Sequence, residues 1–160
     1  MPKILNVPRH KIQTGDYQPS NNTVLISIND PAMEPPEPFH KDIPFKNIFV
    51  FEFLDVSYND DPEWDAWKIT DAQAEAIANI LKQCYENGHD VLVHCTAGLC
   101  RSGAVVEAGV ALGFDDPKVC RQPNLEVKHK IFAALGEEFR QDEEKRMKYY
   151  ADLFSDFLDD

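Results

Sequence analysis

The stretch Val91-Leu92-Val93-His94-Cys95-Thr96-Ala97-Gly98-Leu99-Cys100-Arg101-Ser102-Gly103 decides the fold. With Asp90 it opens on a short, almost uniformly apolar run, residues 90–94, the composition of a strand buried on both faces of a parallel sheet. A tight turn with Gly98 inside it follows. Residues 102–112 (SGAVVEAGVAL) then read as a helix stopped near Gly113, and its one charge, Glu107, marks it as largely buried. Strand, turn and helix in this order predict an α/β domain with a mostly parallel central sheet flanked by helices.

Outward from this stretch, residues 3–7 and 23–28 alternate with turn signals and read as strands, the second ending at Asn29-Asp30-Pro31. Residues 31–44 hold five of the eleven prolines and read as a loop. Residues 47–54 (NIFVFEFL) carry the strongest strand signal in the chain. Residues 55–69 form an acidic loop with both tryptophans, Trp64 and Trp67, as a satellite cluster or a lid. Residues 70–87 read as a helix: Thr70 and Gln73 make a capping box, Ala74, Ile77, Leu81, Cys84 and Tyr85 make the stripe, and Gly88 ends it. Pro123-Asn124 opens a further helix that closes at Gly136, with Asn124 as its cap or as a brace for the turn at 95–101. Residues 137–160 place Phe139, Met147, Tyr150, Phe154 and Phe157 at helical spacing, an amphipathic terminal helix. The chain of 160 residues reads as one domain.

A net charge of −12 argues against binding nucleic acid or an anionic membrane surface, and no apolar run of about 18 residues is present to span a bilayer. No signal peptide is read at the start. Four cysteines (Cys84, Cys95, Cys100, Cys120) in a chain too large to need staples predict free thiols in a reducing cytoplasm. An acidic protein that is to hold an anion must build its positive site locally. The stretch at 94–102 can do so. A loop closing between a strand and a helix can turn its backbone N–H groups inward around a tetrahedral anion, and the helix dipole adds positive potential. Cys95 lies at the carboxyl end of its strand, where ligands of open α/β sheets bind. The helix terminus and Arg101 both favour its thiolate. Arg101 offers a planar fork for two phosphoryl oxygens.

His94-Cys95, five residues, then Arg101-Ser102 resembles the signature loop of the protein tyrosine phosphatase superfamily. Ala97-Gly98 and Ser102 resemble its small dual-specificity branch. Residues 26–31 (ISINDP) resemble an early strand of compact bacterial and bacteriophage members. Phe53-Leu54-Asp55-Val56 resembles their general-acid loop, and Pro123-Asn124 a pair common in dual-specificity enzymes. The likeness implies that Cys95 attacks phosphorus and that Thr96, Ala97, Gly98, Leu99, Cys100 and Arg101 bind the phosphoryl group. It implies that Asp55 donates the proton, Ser102 stabilises the departing sulfur and His94 orients the loop, with no cofactor and no metal. Asp60, Asp61 and Asp65 remain alternatives for the acid. Cys100 stands where serine is usual, as a tolerated small residue or as a resolving thiol for oxidised Cys95.

The neutral lining of Thr96, Ala97, Leu99 and Cys100 disfavours a polyphosphorylated lipid headgroup. Ala97 and Cys100 depart from the RNA 5′-triphosphatase pattern. The expected partner is a phosphoprotein. An RNA triphosphatase, another phosphate-ester phosphatase and a non-catalytic phosphate-binding pseudophosphatase are the alternatives. The oligomeric state is not legible.

Overall fold

In the computed structural model, residues 2–14, 19–31, 43–58 and 60–136 are described. Most of the proline-rich loop and the whole terminal segment 137–160 lie outside them. The strands are β1 (Ile4–Pro8), β2 (Thr23–Asn29), β3 (Ile48–Glu52) and β4 (Asp90–Cys95). The helices are α1 (Arg9–Thr14), α2 (Asp71–Asn87), α3 (Arg101–Leu112) and α4 (Leu125–Leu135). The strands form one parallel sheet in the order β1-β4-β2-β3.

The apolar character of β4 follows from its place in the sheet interior. Val91 and Val93 face a core built with Ile26 and Ile28 of β2, Ile77 and Leu81 of α2, Val105 and Val106 of α3, and Ile131 and Phe132 of α4. Leu92 faces the other way, onto Val7, Leu25, Ile12 of α1 and Ile43. Alternation along each strand thus feeds two cores. Burying one such aliphatic side chain contributes about 1.5–3 kcal/mol.

The helix ends sit where their chemistry places them. In α2, Thr70 Oγ1 accepts from Gln73 N–H at 3.1 Å and the Gln73 side chain accepts from Thr70 N–H at 2.9 Å. Gly88 closes that helix in the left-handed region at φ 73°. In α4, Asn124 is the N-cap.

One helix departs from the expectation. Helix α1 is six residues long and follows Pro8; it buries only Ile12, too little for a visible periodicity. Strand β3, apolar on both sides in sequence, is the sheet edge, with Phe49 38% and Val50 46% exposed. The acidic loop also contains a 3-10 helix, Pro62–Trp67, in which both tryptophans stay about half exposed. Parallel pairing brings Pro8, Asn29, Glu52 and Cys95 to one edge of the sheet. The candidate site is built there.

Candidate active site

The turn after β4 is held from outside. The carbonyl of Thr96 accepts from Arg9 N–H at 3.3 Å, that of Leu99 from Gln122 N–H at 3.1 Å, and that of Cys100 from Asn124 N–H at 2.9 Å. The Gly98 carbonyl accepts from Asn6 Nδ2 at 2.7 Å. In a trans peptide the carbonyl and the following N–H point in opposite directions. Carbonyls turned outward at 96, 98, 99 and 100 therefore turn the N–H groups of Ala97, Leu99, Cys100 and Arg101 toward the loop's interior. That arrangement is an anion nest. Gly98 makes it possible: at φ 73°, a Cβ there would lie 2.3 Å from Pro8 N and 2.5 Å from the Val7 carbonyl carbon.

Cys95 sits at the base, 2% exposed. Its Sγ lies 3.1 Å from Ser102 Oγ and accepts from Ser102 N–H at 3.5 Å, the first turn of α3. Hydrogen bonds of this kind stabilise a sulfur anion. Arg101 is 4% exposed. Its Nη1 donates to Asp30 Oδ1 and to the Phe53 carbonyl, both at 2.7 Å, and its Nη2 donates to Thr96 Oγ1 at 3.2 Å. Its buried Nε finds no acceptor among the described residues. A guanidinium N–H so placed costs free energy unless a ligand oxygen accepts from it. His94 points beneath the loop, with Nε2 at 2.6 Å from Ser27 Oγ. Ser27 Oγ also accepts from Asn29 Nδ2 at 2.9 Å, and Asn29 Oδ1 accepts from Arg9 Nη1 at 2.8 Å.

The loop floors a cavity of about 530 Å³, lined by Asp30, Asp55, Asp60, Asp61 and Trp64 together with Cys95 and Arg101. The structure thus brings Asp55, Asp60 and Asp61 to the site. Asp65 is not in that lining and pairs with Lys68 at 3.7 Å. The three acids differ in what holds them. Asp60 Oδ2 accepts from Ser57 N–H at 2.8 Å, and Asp61 Oδ1 accepts from Glu63 N–H at 3.0 Å, both within their own turn. Asp55 Oδ1 accepts from Asn124 Nδ2 at 2.7 Å. Burial first, and then the Asp55 carboxylate to which it hydrogen-bonds, push the Cys100 thiol up from its ordinary value.

Asp30, Asn6 and Arg9 belong to the site's supports and were not singled out from the sequence. Asp30 had a signal, since it ends a strand in Asn-Asp-Pro and so lies at the sheet's carboxyl edge. Among the described residues, no group of three His, Cys, Asp or Glu side chains is placed to hold a metal ion. None of their helices is long and apolar enough to cross a membrane, and all four cysteines are free.

The sequence matches no protein-family model, and no curated protein matches it. By structure the chain is similar to human DUSP28, with a TM-score of 0.55 at 13% identity, covering 91% of this chain and 96% of that one. The likeness to Tk-PTP in its active form, with a TM-score of 0.45 at 15% identity over 89% and 90%, is too weak to carry weight. The fold is that of the DUSP-like phosphatases. At such identity the likeness speaks for the fold, and the activity has to be argued from the site.

Proposed function

We propose that this chain is a cysteine-dependent phosphatase of phosphoproteins, acting on phosphotyrosine, with phosphoserine and phosphothreonine as further candidates. The observation that carries the reading is the polarity of the 95–101 turn. Its carbonyls at 96, 98, 99 and 100 are all engaged from outside, and the buried Arg101 Nε has no acceptor among the described residues. A phosphoryl group supplies the missing acceptors, and the sulfur at the base supplies a nucleophile.

In the first step Cys95 Sγ forms a bond to phosphorus while the bond to the leaving oxygen breaks, and Asp55 gives that oxygen its proton. The inward N–H groups and Arg101 bear the charge on the transferring group. In the second step water attacks phosphorus and gives its proton to Asp55, and the electron pair of the S–P bond returns to sulfur. The Ser102 hydroxyl, 3.1 Å away, stabilises that sulfur. Inorganic phosphate leaves. Nest and guanidinium provide the positive charge, so no step calls on a metal.

Substrate class follows from the walls. Four carboxylates around one guanidinium would repel a second phosphate, which speaks for a monophosphate over a polyphosphorylated headgroup or an RNA 5′ end. Free thiols suit a cytoplasmic setting. The resemblance to compact bacterial and bacteriophage enzymes rests on residues 26–31 and 53–56.

The test is hydrolysis of p-nitrophenyl phosphate in EDTA, with a phosphopeptide panel for class. Turnover that survives chelation and disappears in Cys95→Ser is the expected result. Tight binding of inorganic phosphate without any turnover would make the protein a pseudophosphatase and overturn the proposal.

A further inference from the structure

Asn124 makes the helix cap and the brace that the sequence offers as alternatives, and a third link besides. The residue is 6% exposed. Its Oδ1 accepts from Val127 N–H at 3.1 Å, which is the helix cap. Its own N–H donates to the Cys100 carbonyl at 2.9 Å, which braces the phosphate loop. Its Nδ2 donates to Asp55 Oδ1 at 2.7 Å and to the Val56 carbonyl at 3.1 Å. Both hydrogens of that amide are therefore committed to the segment that carries the acid.

The rest of that segment lies on α4 too. Tyr58 Oη meets His129 Nδ1 at 3.4 Å, Lys68 Nζ meets Glu126 Oε1 at 3.0 Å, and Lys130 Nζ donates to the Ile69 carbonyl at 2.9 Å. The acid loop is thus referenced to a helix whose capping residue is bonded to the nucleophile's loop. Asp55 itself is exposed, and beside the Asn124 amide its carboxylate also meets the Cys100 thiol. Asp60 and Asp61, held by their own turns, have no such tie to Cys95.

We propose that Asn124 is a positioning residue for proton transfer. Bonded through its backbone to the phosphate loop, it holds Asp55 by Oδ1 and so fixes where the proton sits. An amide N–H donates far better to the carbonyl oxygen of a protonated carboxyl than to its hydroxyl oxygen, so this bond favours the acid's proton on Oδ2. That oxygen then gives its proton to the leaving group and recovers one from water. Misplacing a catalytic group by about 1 Å costs on the order of a hundredfold, so a tie of this kind decides rate. The inference rests on the proposed phosphatase chemistry and on Asp55 as its acid.

Two variants test it. Asn124→Asp keeps the cap, because an aspartate also accepts from Val127 N–H, but it removes the donor and sets a second carboxylate beside Asp55. Asn124→Ser keeps a neutral cap without the reach. Both are compared with wild type and Asp55→Asn for kcat/KM across aryl phosphates from p-nitrophenyl to phenyl. The pH profile and the affinity for inorganic phosphate are measured alongside.

The expected result is a loss of about 10- to 100-fold on phenyl phosphate for both Asn124 variants, against less than about 3-fold on p-nitrophenyl phosphate. Phosphate affinity stays within about 2-fold, which certifies the fold of the loop. The basic limb of the Asn124→Asp profile moves to higher pH, since the added carboxylate opposes ionisation of Asp55. An equal loss across all leaving groups, or an unmoved basic limb, reduces Asn124 to a cap and overturns the proposal. If Asp55→Asn shows no leaving-group dependence either, the assignment of the acid falls with it. If Asp55→Asn shows that dependence and the Asn124 variants do not, the assignment stands and the positioning role alone is lost.

Discussion

Three of the four thiols stand in different surroundings, and their chemistry separates accordingly. Burial pushes the Cys84 thiol up to about 11, so it is an inert part of the α2 core. Cys95 has a hydroxyl and a helix N–H on its sulfur. Cys100 is pushed up by burial first and by Asp55 next, with Arg101 pulling the other way. A raised value keeps Cys100 protonated through neutrality, and its thiolate appears only as pH climbs beyond that. Resolving an oxidised Cys95 needs that thiolate, which attacks the sulfenic sulfur, forming the disulfide and expelling hydroxide that leaves as water. Peroxide at neutral pH should therefore carry Cys95 on to sulfinic acid, with the Cys95–Cys100 disulfide gaining share as pH rises into the alkaline range. Mass mapping of treated protein reads this directly; a disulfide that dominates already at neutral pH would contradict it. The grouping of Cys95, Arg101 and Ser102, the centre of the proposed site, was legible because their spacing is local. Asp30 and Asn6 were not, because each acts across the sheet, on Arg101 and on Gly98.

Among the elements, β4, the turn and α3 form the unit on which everything else depends, and Gly98 is its tightest point. Adding a Cβ there sets it against backbone atoms of Val7 and Pro8, which cannot turn aside as a side chain end would. Gly98→Ala should lower stability by more than about 1 kcal/mol in urea unfolding and weaken phosphate binding at the same time. A variant as stable as wild type that still binds phosphate would show that the turn has room to open. The capping box of α2 and the N-cap of α4 were readable from four residues each, because caps are satisfied locally. Strand β3 was legible as a strand from its apolar run, but its place at the sheet edge was not, because the number of partners a strand acquires is fixed by sheet order, which no single segment encodes. Helix α1 went unread because one buried residue, Ile12, makes no pattern.

At the scale of the whole molecule, a charge of −12 surrounds a site with one lining cation, Arg101, and four lining carboxylates. The long-range field repels anionic substrates and the nest attracts their phosphate only at contact. Added salt should thus raise kcat/KM for phosphopeptides flanked by Asp and Glu and lower it for those flanked by Lys and Arg. Opposite slopes in a salt titration are the expected outcome; identical slopes would mean the field does not reach the site. Sequence alone placed the class of fold and picked out the Cys95–Arg101 turn on which the proposed chemistry rests. It left the acid among four aspartates, because only folding brings Asn124 to Asp55 across 69 residues. The central claim is that Cys95 takes the phosphoryl group covalently within the nest. Ser102→Ala removes the hydroxyl that eases sulfur's departure, so it should slow the second step and let the intermediate build. Acid quenching that variant during turnover of p-nitrophenyl phosphate, followed by peptide mapping, should find phosphate on Cys95. Turnover with Cys95 unmodified, or phosphate on another residue, would contradict the account.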